Sequence, residues 1–188
     1  MTPAILFGLT GVLVDDTALH RRAAHQTASE AGFSLTAEDH RTFFAGRTAH
    51  EGFRAFLTHR TPNRLGEIDD ILAAKARSYR ALAETDLHPY PGAVELVMAL
   101  CGTRHQLALV TDSTIPEVAA ALRVLRLDDA FDAIVTAESV PEGKPSSARY
   151  LAAARMLNRP PQHCLVIERG PTSTPLVEVG RPPLGGAV

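Results

Sequence analysis

From Ile5 to Val14 the chain is apolar at every position except Gly8, Thr10 and Gly11. An unbroken apolar run of this kind predicts a strand buried on both faces of a parallel sheet, not an alternating surface strand, with its carboxyl end on the ligand crevice. The period then becomes helical. Apolar residues at helical spacing predict one helix from Ala18 to Ala31, closed by Gly32, and a second from Ser34 to Phe44. Glu51 to Leu57 sets Phe53, Phe56 and Leu57 on one face, and Ile68 to Leu82 does the same with Ile71, Leu72, Ala76, Tyr79 and Leu82. Pro62 breaks the link between them, and His88-Pro89-Tyr90-Pro91-Gly92 ends the helical stretch.

Beyond that breaker, strand and helix alternate: a helix over Ala93 to Leu100, a strand over Leu107 to Val110, a helix over Glu117 to Leu125, a strand over Phe131 to Thr136, a helix over Ser146 to Leu157 and a strand over Cys164 to Ile167. The order predicts an α/β fold, a Rossmann-like core with a mostly parallel sheet. Residues 1–16 and 88–188 form that core, and 17–87 form a small inserted helical cap. After Gly180, Arg181-Pro182-Pro183 and Gly185-Gly186 give no element pattern, and no internal repeat is present.

At 188 residues, 45% hydrophobic and 21% charged, the chain can bury a real core. A net charge of −2 without a clustered Lys/Arg run argues against nucleic acid and against an anionic membrane surface as partners. Cys101 and Cys164 lack metal-type spacing and read as buried thiols of a reducing compartment. Thr2-Pro3 lacks the basic flank and long apolar region of a secretory leader, and no run is long enough to span a bilayer, so the expectation is a cytoplasmic protein.

The polar residues at the predicted strand ends are the candidates for chemistry. Asp15 and Asp16 follow the first strand; each could cap the next helix or touch a ligand. Thr111-Asp112-Ser113 follows the second strand; Asp112 could exchange protons in a closed pocket, although capping explains it more simply. Lys144 follows the third strand and is a candidate anion ligand, or a solvated lysine in a turn. Glu168 and Arg169 end the fourth strand, Glu168 being either a pocket acid or the structural partner of Arg169 or Lys144. His20 and Arg47 lie among the inserted helices, where they could reach a substrate or simply face water. The remaining histidines show no ligand spacing.

From Ile5 to about Gly180 the chain resembles the haloacid dehalogenase (HAD) superfamily, in its β-phosphoglucomutase-like and phosphatase-like branch. Thr111 matches the hydroxyl residue of the second family motif and Gly143-Lys144-Pro145 the lysine segment of the third; Tyr90-Pro91-Gly92, His20 and Gly46-Arg47-Thr48 match the core re-entry and the substrate-facing cap. The resemblance implies an aspartyl-phosphate mechanism with magnesium, but its motifs are degenerate. Gly8 and Thr10 stand where the family has its nucleophilic and acid-base aspartates, and Arg169 stands where it has a metal carboxylate. Neither glycine nor threonine can form an acyl phosphate or relay a proton near neutral pH. Arg169 would repel a magnesium ion, so no tightly bound metal or other cofactor is expected.

The expectation is therefore a degenerate HAD-like protein with a pocket between cap and core for a small anionic molecule, or a surface for a protein partner. Thr111, Lys144, Arg169, Arg47 and His20 would be its binding residues. One alternative is a repurposed enzyme using Asp16, Asp112, Glu168 or His20 for metal-independent acid-base chemistry, and another is a residual hydrolase. The family also continues past its fourth motif through a helix into a further strand, whereas Thr172-Ser173-Thr174-Pro175 is poor helix sequence, which predicts a sheet edge that is missing or remodelled.

Overall fold

The computed structural model describes residues 2–140, 148–169 and the backbone of 175–176, so the expectation for Lys144 lies outside the described residues. Strands β1 (Ala4–Gly8), β2 (Leu107–Val110), β3 (Ala133–Val135) and β4 (Cys164–Arg169) run parallel, in the order β3-β2-β1-β4. Ile5 pairs with Leu107 on one side of β1 and with Leu165 on the other. A two-residue strand β5 (Pro175–Leu176) pairs antiparallel with the end of β4, at the edge expected to be missing or remodelled.

Burial on both faces explains the unbroken apolar runs. Ile5, Phe7, Leu107 and Leu109 point to one side, into a core shared with Val97, Val118, Leu122 and Leu125, while Ala4, Leu6, Ala108, Val110, Ala133 and Val135 point to the other, toward Ala153 and Leu157. The first strand is nevertheless shorter than predicted. It stops at Gly8, because the Leu9 carbonyl accepts the N–H groups of Leu13 and Val14, and Gly11 sits at φ +85°, in the left-handed region. Residues 9–14 are thus a tight turn, and this turn sets Asp15 and Asp16 at the head of the first helix.

Four α-helices lie between β1 and the breaker at residues 88–92: α1 (Thr17–Glu30), α2 (Ala37–Asp39), α3 (Ala49–Arg60) and α4 (Ile68–Asp86). The helix predicted from Ser34 to Phe44 is instead α2 followed by a π-helical turn over His40–Phe44, because the Thr36–Asp39 capping box delays the start. Phe44, Phe53, Phe56, Leu57 and Ile71 make a small core of their own within these helices. Leu19, Ala23, Tyr79, Leu82 and Ala83 instead join the core under the sheet, so α1 and α4 belong to both layers. Helices α5 (Ala93–Leu100), α6 (Ile115–Leu125) and α7 (Ala148–Met156) cover the sheet. The two cysteines are only partly buried, a correction to the expectation that both are core thiols. No helix among the described residues is long and apolar enough to cross a membrane.

Gly52 tests the packing of the inserted helices. A Cβ there would stand 2.3 Å from the Phe44 ring, so the gain of roughly 1 kcal/mol that alanine brings to a helix interior is outweighed by an overpacking cost of about 1–3 kcal/mol. Gly52→Ala is expected to lower the unfolding free energy in urea, whereas Gly66→Ala, which meets open space, is expected to leave it unchanged or slightly higher.

Candidate functional site

A buried chain of charged and polar groups crosses the seam between the inserted helices and the core. Asp16, fully buried at the head of α1, accepts hydrogen bonds from the Thr10 hydroxyl (2.7 Å) and the Tyr79 hydroxyl (2.6 Å). His20, one helical turn on, stacks on the Tyr79 ring with centroids 4.4 Å apart and sets Nε2 3.2 Å from Asp16. Lys75 of α4 donates to Glu117 of α6 (2.6 Å) and lies 2.9 Å from His20 Nδ1, though Lys75 and Glu117 are 4% and 1% exposed. An ammonium group has donors only, so Nδ1 is the acceptor in that contact and Nε2 is left to donate to Asp16. Ser113 Oγ, 3.4 Å from Nε2, links the chain to Thr111.

The electrostatics follow from this crowding. Burial alone pushes the Asp16 carboxyl up; His20, through its hydrogen bond and its charge when protonated, and the Tyr79 and Thr10 hydroxyls outweigh burial and hold the group below its ordinary value. Glu117 behaves alike: burial raises it, and the charge of Lys75, that of His20 when protonated, and the Lys75 and Thr114 N–H bonds bring it down. Burial and the Asp16 charge push the Tyr79 phenol far up.

A second cluster stands at the ends of β1 and β4. Gly8 faces the Glu168 carboxylate so closely that a Cβ there would be 2.8 Å from Oε2. Glu168 accepts from the Tyr150 hydroxyl and from the Arg169 backbone N–H (2.8 Å), and the Arg169 side chain lies over Gly11. Phe7, Gly11, Asp15, Tyr90, Leu96 and Arg169 line a mainly apolar cleft of about 600 Å³ beside them. Magnesium does not fit these residues: position 8 has no side chain, Arg169 is a cation, and the described residues contain no group of three or more His, Cys, Asp or Glu able to hold a metal.

The structure brings His20, Asp16, Thr10 and Thr111 into one network, and Gly8, Glu168 and Arg169 into another. It does not bring Arg47 to either. The Arg47 guanidinium donates to the carbonyls of Thr42 (2.8 Å) and Phe43 (3.0 Å), closing the π turn. The capping readings are corrected: Asp16 makes no cap bond, and Asp112 pairs with Arg149, because Glu117 already receives the Thr114 N–H at the start of α6. Between α3, α4 and the strand-end loops lies a cleft of about 430 Å³, lined by Glu51, Asp69, Asp112 and Glu138 beside His50 and Leu72. Sequence reasoning missed Lys75, Glu117, Tyr79 and Arg149. Tyr79 was legible as core, but the charged residues between apolar positions of α4 and α6 had the spacing of an ordinary wet face.

The α/β sheet with helices inserted after β1, and a site at the carboxyl ends of the strands, define a HAD-like class of protein. The haloacid dehalogenase-like hydrolase family model matches residues 2–172, and the chain belongs to that family. Over 176 residues it is 32% identical to Protein CbbY of Cereibacter sphaeroides, covering 89% of this chain and 76% of that protein. It is 31% identical to Hexitol phosphatase A of Escherichia coli K12 over 169 residues, 88% of this chain and 74% of that one. Among solved structures, CbbY from Rhodobacter sphaeroides in complex with phosphate superimposes with a TM-score of 0.75 at 30% identity, covering 88% of this chain and 77% of that one.

Removing one partner of the Lys75–Glu117 pair strands a buried charge. Lys75→Met is expected to lower the unfolding free energy by about 3–5 kcal/mol, and the double variant Lys75→Met/Glu117→Gln by clearly less than the sum of the single changes. Asp16 and Glu117 have depressed carboxyls, so their contribution is complete above the ordinary values of 3.8 and 4.5 and is lost as pH falls through the lower folded values. Urea melts at successive pH values should show that acid loss, and an additive double variant would mean that the two charges do not interact.

Proposed function

We propose that this chain is a catalytically degenerate HAD protein that binds a small phosphate- or carboxylate-bearing molecule and performs no aspartyl-phosphate chemistry. The observation that carries the reading is the contact between Gly8 and Glu168: the β1 terminus has no nucleophile, and the space where one would begin is taken by a carboxylate already engaged by Tyr150 and by the Arg169 N–H. Thr10, in the acid-base position, gives its hydroxyl to Asp16. Glu168 is also a poor substitute nucleophile, since both its oxygens accept hydrogen bonds.

The ligand's anionic end is assigned to Arg169, with Thr111 and Lys144 as the other binding residues implied by the family, and its apolar body to the cleft beside Tyr90 and Leu96. The inserted helices act as a cap, held to the core by the Lys75–Glu117 pair. Relatives named as phosphatases make a phosphorylated small molecule the natural class to test first. The protein is read as cytoplasmic, and its role as binding or regulation.

Purified protein is expected to show no magnesium-dependent hydrolysis of phosphate esters, and Gly8→Asp alone is expected to restore none, because the new carboxylate meets Glu168 and position 10 remains a threonine. In calorimetric titrations with EDTA present, sugar phosphates should bind, and Arg169→Ala should weaken them about ten-fold. Turnover that EDTA abolishes, or binding that needs added magnesium, would overturn the reading.

A further inference from the structure

Away from both clusters, a groove of about 550 Å³ runs between α1 and the turn that carries α2 and the π segment, lined by Arg21, Arg22, His25, Gln26, His40 and Arg41 beside Ala37. No carboxylate lines it. Two of its three arginines are neutralised at the rim, Arg22 by Asp86 and Arg41 by Glu38, each at 2.5 Å. Arg21, His25 and His40 have no carboxylate partner among the described residues. Arg21 and His25 are four residues apart on α1, so like groups share one helical face, an arrangement that is unfavourable whenever both are charged.

From the opposite wall, the π turn holds His40 with its ring parallel to that of His25, at 5° and 6.2 Å between centroids, and braced on Phe44 at 5.2 Å. Three cationic or protonatable groups therefore converge on one concavity from two elements. A concave wall of low dielectric focuses their field. His40 registers it: burial first, then the charges of His25 and Arg21, hold its imidazole below the ordinary value, and each charge acting on it is positive.

We propose that this groove is a binding site for a small multivalent oxyanion of the phosphate class, separate from the strand-end site. A phosphate group can take the Arg21 fork on one side and the two imidazoles on the other, replacing mutual repulsion by charge-assisted hydrogen bonds. The rim selects for size. Glu38 and Asp86 flank the groove, so an extended polyanion such as nucleic acid would run from Arg21 into carboxylates, whereas a compact phosphate ester stays within the cationic floor. Because the histidines contribute, an oxyanion of fixed charge binds more tightly as pH falls and they gain protons; reciprocally, a bound anion raises the proton affinity of the two imidazoles.

The test follows the imidazole resonances of His25 and His40 by NMR while inorganic phosphate, pyrophosphate or sulfate, the last keeping its charge throughout, is added in EDTA at about pH 6 and about pH 8, with chloride at matched ionic strength as the control. Expected are saturable shifts at those two rings, tighter binding of pyrophosphate than of phosphate, tighter binding of sulfate at the lower pH, and a rise in the His40 midpoint on saturation. Arg21→Gln, at an exposed position that leaves the fold intact, should weaken binding about ten-fold, and Arg54→Gln, exposed on α3 outside the groove, should not. Shifts reproduced by chloride, shifts that never saturate, or affinity unchanged in Arg21→Gln would overturn the site. Arg169→Ala leaves this titration unaltered, so the groove and the strand-end site stand or fall separately.

Discussion

Lys75 and Glu117 are buried opposite charges 2.6 Å apart, and the joint between the inserted helices and the sheet depends on them. Apolar packing is non-directional and would let α4 slide on α6; a pair of buried charges fixes the register, because each shift of an ångström uncovers a desolvated group. The pair also orders what lies beyond it. Lys75 makes His20 Nδ1 an acceptor, His20 Nε2 then turns to Asp16, and Asp16 holds Tyr79 and Thr10. A change at one end therefore alters the donor count at the other, across β1, α1, α4 and α6.

That chain gives Thr10 and Gly8 a structural meaning. Thr10 is not an idle replacement: its hydroxyl is one of the donors that let Asp16 stay ionised while wholly buried. Gly8 is likewise accommodated, since the absence of a side chain there lets the Glu168 carboxylate lie against the end of β1. The residues around both positions are packed for glycine and threonine.

The parallel sheet, the insertion after β1 and the helices on both faces were legible in the sequence because each rests on a periodicity: continuous apolar runs at Ile5 and Leu107, and a 3.6-residue period in α1 and α4. Partnerships have no period. Whether Asp112 caps a helix or pairs with Arg149 depends on which donor reaches it first in space, and Glu117 had already taken the Thr114 N–H. Arg47 read as substrate-facing for want of any sign that two carbonyls of a π turn lay within its reach. Lys75 and Glu117 escaped for the same reason, being 42 residues apart and meeting only through the tertiary fold.

Four of the carboxylates near the strand ends share one property that bears on chemistry. Asp16 has Thr10, Tyr79 and His20; Glu117 has Lys75 and the Thr114 N–H; Asp112 has Arg149; Glu168 has Tyr150 and the Arg169 N–H. For Asp16 and Glu117 these partners outweigh burial and hold the carboxyl below its ordinary value, so each is stabilised as the anion and its lone pairs are committed. An acid-base enzyme needs the reverse, a group whose protonation states lie close in energy. On the proposed reading, hydrogen-bond saturation of Asp16 and Glu117 adds to the missing side chain at position 8 as a reason to expect binding without turnover.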